Sequence, residues 1–224
     1  EFLDQLRDLS GGKPVGFKLA IGHPWEWFAI VKAMLETGRK PDFIVVDGGE
    51  GGTGAAPLEF INRIGTPMTE ALLLVHNTLV GTNLREDISI GAAGKITSAF
   101  NIARTLALGA DWCNSARGYM FSLGCIQAMQ CHKNTCPTGI TTHDKRLQRG
   151  LDPEDKKVKV ANYCLNMVHE VEVIAHSCGV DEPRQLGRKH VRIVQDTGKS
   201  VALDDLYPRP DILPQYKPSM AAAQ

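Results

Sequence analysis

The chain has 224 residues, 43% hydrophobic and 22% charged, so it can bury a large core without covalent staples, and its six cysteines are too sparse for a disulfide scaffold. Lys+Arg and Asp+Glu balance at 25 each, which excludes a global field directing the chain to nucleic acid, a membrane surface or a strongly charged partner. No run of eighteen apolar residues appears, and the opening EFLDQLRDLSGGKP lacks the basic start and apolar middle of a secretory signal, so a cytoplasmic setting with reduced thiols is expected.

Short β-branched runs alternate with amphipathic stretches of helical length, the pattern of βα units and a parallel sheet. The first run, VGFKLAI at 15–21, precedes a helix over 25–37 closed by Gly38. The second, DFIVVDG at 42–48, is apolar enough to be buried on both faces, and it empties into the glycine-rich GGEGGTGAAP. A helix over 69–84 follows. The third run, DISIGAAG at 87–94, leads to a helix capped by Thr97 or Ser98, with Phe100, Ile102, Ala103, Leu106 and Ala107 at apolar spacing. The fourth, ADWCNSARG at 110–118, feeds a small-residue helix that carries Cys125. One further helix spans 153–177, with Val158, Val160, Ala161, Leu165, Val168, Val171 and Ile174 on its apolar side and Cys178-Gly179 at its end. The remainder reads as an extended arm and a frayed tail.

Chemistry-bearing residues fall at strand ends, and in parallel α/β proteins ligands bind at the carboxyl ends of the strands. Lys18, inside GFKLAI, must reach solvent or be held by an anionic or electron-rich partner, because a buried unpaired ammonium is too costly. The loop DGGEGGTGA, with Asp47 as anchor or cap, has glycines whose N–H groups can line an anion or a ring edge, yet it matches neither the dinucleotide fingerprint nor the P-loop. Lys95 and Arg117 are candidates for neutralising a phosphate, with solvated surface charge as the alternative. Cys125, Cys131 and Cys136 are spaced C-x5-C-x4-C before Pro137. Structural zinc sites favour C-x2-4-C pairs, and a catalytic thiol needs only one cysteine. An iron-sulfur group suits a compact run of thiolates closed by Cys-Pro. Three thiolates suggest three irons, and a four-iron cluster with Cys113 as fourth ligand stays open.

On DGGEGGTGAAP, GKITSAFNIARTLALGAD and GCIQAMQCHKNTCPTG, the chain resembles the flavin-binding synthase domain of glutamate synthase, nearest to the stand-alone glutamate-synthase-like proteins. The resemblance implies the TIM (β/α)8 barrel family, with FMN at the carboxyl ends of the strands and a 3Fe-4S cluster on Cys125, Cys131 and Cys136. It implies that Lys18 lies against the flavin as the catalytic lysine. Asp47, Gly48, Gly49, Gly51, Gly52 and Thr53 would lie beside ring and substrate, and Gly94, Lys95, Ser115, Ala116 and Arg117 would grip the phosphate. The implied reaction is reductive amination of 2-oxoglutarate to L-glutamate, with ammonia or glutamine as nitrogen source and ferredoxin or a pyridine-nucleotide-linked subunit as electron donor. Two features depart from the family. The third strand reads GAAGK where the large synthases have an Asp-Gly-Gly-Leu-Lys type segment, and four βα units stand where a barrel needs eight and about 250 residues.

We therefore expect only the C-terminal half of the barrel over 1–140, including the cysteines, with a helix and extended arm over 141–224 packing on it. The missing N-terminal half or a second copy would complete the strands. No glutaminase cysteine opens the chain. Two alternatives are an FMN and iron-sulfur oxidoreductase of the same family with another substrate, and a non-catalytic half-barrel module.

Overall fold

The computed structural model describes residues 1–49 and 56–217. Four parallel strands in the order β1-β2-β3-β4 form its sheet: β1 (Gly16–Ala20), β2 (Phe43–Asp47), β3 (Ser89–Ala93) and β4 (Trp112–Asn114). This is the α/β arrangement expected of consecutive βα units, with every strand two to six residues shorter than the sequence pattern reached.

Helices follow each strand. Helix α1 (Phe2–Leu9), which the periodicity did not single out, precedes β1, and α2 (Pro24–Thr37) follows it. Pro24 occupies the first turn of α2, the Glu26 carboxylate accepts the His23 N–H at 3.0 Å, and Gly38 at φ +65° closes the helix. Its inner face is Trp27, Val31 and Met34. After β2 come the short α3 (Leu58–Arg63) and then α4 (Met68–Gly81), so apolar on most sides that Met68, Leu72, Val75 and Leu79 are all buried. Helix α5 (Ala99–Leu108) follows β3 with Ser98 as its cap, the Asn101 N–H donating to the Ser98 hydroxyl at 3.3 Å. Phe100 is 75% exposed, against expectation, because Ala99, Ala103 and Leu106 define the inward face. Helix α6 (Arg117–Ser122) ends before Cys125, so that cysteine lies in the loop beyond the helix.

Parallel pairing fixes two opposite faces of the sheet. Toward the helices, Phe17, Leu19, Ile44, Val46, Ile90 and Ala92 pack with α2 and α4 in the main core. On the other face the register stacks side chains in rows: Gly16, Phe43 and Ser89; then Lys18, Val45, Gly91 and Trp112; then Ala20, Asp47, Ala93 and Asn114 at the carboxyl ends. Glycines make room for the aromatics of the lower rows. A Cβ on Gly16 would lie 2.5 Å from the Phe43 ring and one on Gly91 2.4 Å from the Trp112 ring, and those two rings meet edge to face at 6.0 Å.

The amino ends of the strands are clipped twice in the same manner. Asp42, just before β2, accepts the Val15 N–H at 2.6 Å and the Arg7 guanidinium at 3.0 Å. Asp111, just before β4, accepts the Ile90 N–H at 2.6 Å and Arg85 Nη2 on both oxygens at 2.8 Å. Each carboxylate thereby ties its own strand to the preceding one.

The C-terminal region begins with the one-turn α7 (Lys145–Gln148) and then α8 (Pro153–Ser177), whose bounds match the sequence reading. Asp152 caps α8, accepting the Glu154 N–H at 3.1 Å. Its inward side is Tyr163, Met167, Val171, Ile174 and Ala175, whereas Val158, Leu165 and Val168 face outward, a rotation of the expected apolar stripe. The arm that follows is more than extended chain. It forms a small antiparallel hairpin of β5 (Arg192–Val194) and β6 (Ser200–Ala202), then α9 (Leu203–Leu206), and Leu203 enters the main core fully buried. Arg188, 8% exposed, donates to the Tyr207 carbonyl, to Asn77 Oδ1 at 2.7 Å and to His76 Nδ1 at 3.2 Å, locking the arm onto α4.

Candidate functional site

The loops at the carboxyl ends of the four strands gather most of the residues singled out above. Lys18 and Asp47, one row apart on neighbouring strands, form an ion pair with Nζ to Oδ2 at 2.5 Å. The lysine therefore satisfies both conditions posed by its position: its ammonium has an anionic partner, and its side chain remains 55% exposed above the open face of the sheet. In the same row the small Ala20 and Ala93 flank Asp47 on the neighbouring strands.

The glycine-rich loop is described only at its start. Gly48 N–H donates to the Ala93 carbonyl at 2.8 Å and Gly49 N–H to the Thr66 carbonyl at 2.9 Å, so neither amide points at a ligand. Gly49 is needed for packing: a Cβ there would lie 2.4 Å from the Ile64 carbonyl oxygen. For these two residues the sequence reading of amides lining an anion is replaced by one of close backbone approach. Gly51, Gly52 and Thr53 lie outside the described residues.

The loops after β3 and β4 meet. Gly94 takes φ +155° and Lys95 φ +48°, and the Ser115 hydroxyl donates to the Ile96 carbonyl at 2.7 Å. Ser115, with its single O–H so engaged, ties the two loops together, and Ala116 and Arg117 begin α6 alongside. Tyr163 from α8 donates to the Thr97 carbonyl at 3.2 Å and stacks edge-on with Tyr119 of α6. A Cβ on Gly118 would come within 1.9 Å of the Tyr163 oxygen, so this glycine sets the distance between α6 and α8. Neither Tyr163 nor Gly118 stood out in the sequence, because nothing in a single chain signals that a helix sixty residues downstream packs on this loop.

The cysteine segment continues directly from α6. Gly124 takes φ +99°, and the Cys125 N–H donates to the Met120 carbonyl at 3.0 Å. Of five non-glycine residues with positive φ among the described residues, Gln127, Met129 and Asn134 lie in this loop and Lys95 in the loop after β3. Left-handed backbone costs a non-glycine residue about 1–2 kcal/mol, and such strain concentrates where a ligand is held. The loop is fixed by its own polar groups: Thr142 donates to the Asn134 carbonyl at 2.7 Å, and the His143 N–H donates to Asn134 Oδ1 at 2.6 Å.

Donors reach two of the sulfurs. Cys125 Sγ accepts the Gln127 N–H at 3.5 Å, and Cys136 Sγ lies 3.4 Å from the Thr138 hydroxyl. Burial alone would push the Cys136 thiol up, but the Thr138 hydroxyl and the backbone at Thr141 and Thr138 outweigh it and bring it down to about 6. Cys131 is half-buried along a groove of about 550 Å³ lined by His132, Asn134, Thr141, His143 and Gln148. Among the described residues no three His, Cys, Asp or Glu side chains converge on one point as a single metal ion requires. A three-iron cluster asks for something else, a compact run of thiolates with hydrogen bonds reaching the sulfurs, and Cys125, Cys131 and Cys136 would supply such a run, with donors at Cys125 and Cys136. Cys113 sits apart, on the helix-facing side of β4 against Ala99, Leu106 and Val171, where burial pushes its thiol up to about 12. That environment disfavours it as a fourth ligand.

Parallel βα units with a lysine-carboxylate pair and two joined loops at the carboxyl ends, followed by a strained cysteine loop, define the class: an α/β protein that gathers its chemistry-bearing residues at the strand ends. Residues 1–181 match the family model described as the conserved region in glutamate synthase, and the chain belongs to that family. It is 42% identical over 206 residues to the glutamate synthase large subunit-like protein YerD of Bacillus subtilis, covering 92% of this chain and 39% of that protein. An archaeal glutamate synthase [NADPH] of Methanocaldococcus jannaschii is 34% identical over 78% of this chain and 33% of its own length. A ferredoxin-dependent glutamate synthase of Cyanidium caldarium is 34% identical over 66% of this chain and 10% of its own. Among solved structures, a flavocytochrome b2 superposes with TM-score 0.45 at 15% identity, over 83% of this chain and 36% of that one. The chain thus spans well under half of the relatives it matches.

Proposed function

We propose that this chain carries the FMN and iron-sulfur part of a glutamate-synthase-type oxidoreductase, which reductively aminates 2-oxoglutarate to L-glutamate. The observation that carries the reading is a strained cysteine loop that continues directly from α6, in a chain whose Lys18–Asp47 pair and joined 94–98 and 115–117 loops stand at the carboxyl ends of the strands. When bound, FMN supplies hydride transfer and a three-iron, four-sulfide cluster supplies single electrons. The chain's own residues do the rest. Lys18, oriented by Asp47, places a positive charge over the open upper row, where negative charge on a flavin ring or a dicarboxylate would be stabilised. Gly94 and Lys95, with Ala116 and Arg117 opposite, form the proposed phosphate grip, and Ser115 holds the two halves in register. Cys125, Cys131 and Cys136 would hold the cluster, and the hydrogen bonds reaching Cys136 favour its thiolate form.

In this reading residues 1–140 act as part of an eight-stranded barrel and residues 141–224 brace it. Further strands, from additional chain or from a second copy, cover the open face of the sheet and close the edges of β1 and β4. The setting proposed is cytoplasmic; no helix of the described residues is long and apolar enough to cross a membrane. The test is anaerobic reconstitution of a polypeptide spanning the full length of such relatives, followed by assay with 2-oxoglutarate, ammonia or glutamine, and a reduced dye. Flavin and iron-sulfur absorbance with glutamate formation supports the reading. Both chromophores without glutamate point to another substrate, and a colourless protein points to a non-catalytic module. Cys136→Ser, which retains bulk and removes the thiolate, is expected to abolish the low-temperature paramagnetic signal of an oxidised three-iron cluster.

A further inference from the structure

Two consecutive carbonyls of the loop after β3 are held from outside it by side-chain hydroxyls. Ser115 donates to the Ile96 carbonyl at 2.7 Å, and Tyr163 donates to the Thr97 carbonyl at 3.2 Å. The first hydroxyl belongs to the loop after β4, whereas the second comes from α8, 66 residues down the chain from Thr97. Both close on the buried Gly118 of α6, where an added Cβ would lie 1.9 Å from the Tyr163 oxygen and 2.8 Å from the Ser115 oxygen. Only a residue without a side chain leaves room for the pair.

The segment gripped in this way is a strained one. Lys95 takes φ +48°, a conformation that persists in a non-glycine residue only where its surroundings over-determine it. Burial of the Ile96 side chain and the two hydroxyl bonds help to supply that constraint. Tyr163 is itself anchored: its ring meets Tyr119 of α6 edge to face, with centroids at 5.1 Å and planes at 80°. The next residue of α8, Cys164, hydrogen-bonds the Tyr119 hydroxyl. A tyrosine has only two side-chain torsions to fix, so a ring packed in this manner delivers its hydroxyl to one place at small entropic cost.

We propose that Tyr163 is a positioning residue for the phosphate end of the cofactor site. Through the Thr97 carbonyl it fixes the 94–98 loop, and through Tyr119 it fixes the start of α6, so that Lys95 and Arg117 meet a phosphate in register. The inference rests on the FMN reading given above and adds to it a residue from outside the strand-end loops. Helix α8 thereby acts on the binding step as well as on folding. Because the Tyr163 hydroxyl bonds to the loop that would grip phosphate, its loss is felt at the phosphate end of a ligand and not at its ring.

The test compares FMN with riboflavin, which has the same ring and no phosphate, by fluorescence titration of a flavin-free polypeptide spanning the full length of such relatives. Tyr163→Phe keeps the ring and its contact with Tyr119 and removes only the O–H. It is expected to weaken FMN binding about three- to ten-fold, the loss of one neutral hydrogen bond that orders the site, with riboflavin binding and the potential of the bound flavin unchanged. Tyr119→Phe loses the bond to Cys164 but leaves Thr97 alone, and it is expected to bind both flavins as the parent does. Should Tyr163→Phe fold poorly by circular dichroism, the rate of FMN release from its folded fraction replaces the titration and should rise by the same factor. If riboflavin binds too weakly to titrate, the flavin potential carries the comparison, and a shifted value in Tyr163→Phe overturns the proposal. FMN affinity equal to the parent's, an equal loss for riboflavin, or an equal loss in Tyr119→Phe also overturns it. A parent that binds neither flavin sinks the FMN reading and the inference with it, whereas a parent that binds FMN no better than Tyr163→Phe does sinks the role of Tyr163 alone.

Discussion

Single residues at this site divide into those that meet a ligand and those that space the backbone. Lys18 is proposed to be of the first kind. Its pair with Asp47 is substantially exposed, so it adds little to stability, as exposed ion pairs generally do. Lys18→Met is therefore expected to weaken FMN retention about ten-fold or more, the loss of one charge-assisted contact, while the melting temperature moves by no more than about 2 °C. Equilibrium dialysis against FMN and a thermal melt check the two halves. Gly118 belongs to the second kind. Gly118→Ala places a methyl where the Tyr163 oxygen sits, and the rigid ring must swing away from the Thr97 carbonyl. A destabilisation of about 1–3 kcal/mol is expected from such overpacking, read as a lower denaturant midpoint with unchanged m-value.

Each element of the sheet carries its stabilising and its chemical groups at opposite ends. The Asp42 and Asp111 clips hold the amino ends, far from Lys18, Lys95 and the cysteines. In Asp42 the hydrogen bond from Val15 leads, with Arg7 adding to it, and together they outweigh burial and hold the carboxyl below its ordinary value. A depressed carboxyl contributes stability that is present above its unfolded value of about 3.9 and is lost as pH falls through the lower folded value. Asp111→Ala removes the acceptor of both Ile90 and Arg85 and leaves the largely buried guanidinium without its anion. A loss of about 1–3 kcal/mol is expected in urea titration, with cofactor loading of the folded fraction unchanged. Loss of FMN binding in the still-folded protein would show that the two ends of the sheet are not independent.

Across the whole molecule the C-terminal arm and the sheet's helices meet at one buried polar contact. Burial leads in pulling the His76 imidazole down to about 4, the Asn77 bond opposes it, and the cations of Arg188, Arg85 and Arg209 reinforce it. His76 is thus neutral in the folded chain at pH values where the unfolded chain, near 6.5, already binds a proton. Folding stability is unaffected above about pH 6.5 and falls as pH drops from there to about 4, at up to about 1.4 kcal/mol per pH unit and about 3 kcal/mol in all. His76→Gln keeps an acceptor for Arg188 and cannot titrate. It is expected to flatten the fall of the urea midpoint between pH 6.5 and 4, and an unchanged slope would place the pH dependence elsewhere.

The alternation of β-branched runs with helical spacing was enough to give four parallel strands in sequential order, and the cap at Ser98 and the stops at Gly38 and Cys178-Gly179 placed helix ends closely, because both signals are local. Lys18 and the cysteine segment were legible for the same reason: a charge within an apolar strand and three close thiols stand out without any knowledge of contacts. What the chain order could not reveal depends on residues far apart. The outward turn of Val158, Leu165 and Val168 follows from where α8 meets α5 and α6, the anchoring of the arm from Arg188 reaching His76 and Asn77 across more than a hundred residues, and the use of the Gly48 and Gly49 amides from carbonyls on Ala93 and Thr66. The sequence by itself determined the type of the elements in the four βα units and of α8, and which residue types stand at the strand ends and in the cysteine segment. Only the tertiary structure decided which face of each helix is buried and which backbone amides are already engaged, because those are settled by packing between segments that no local pattern connects.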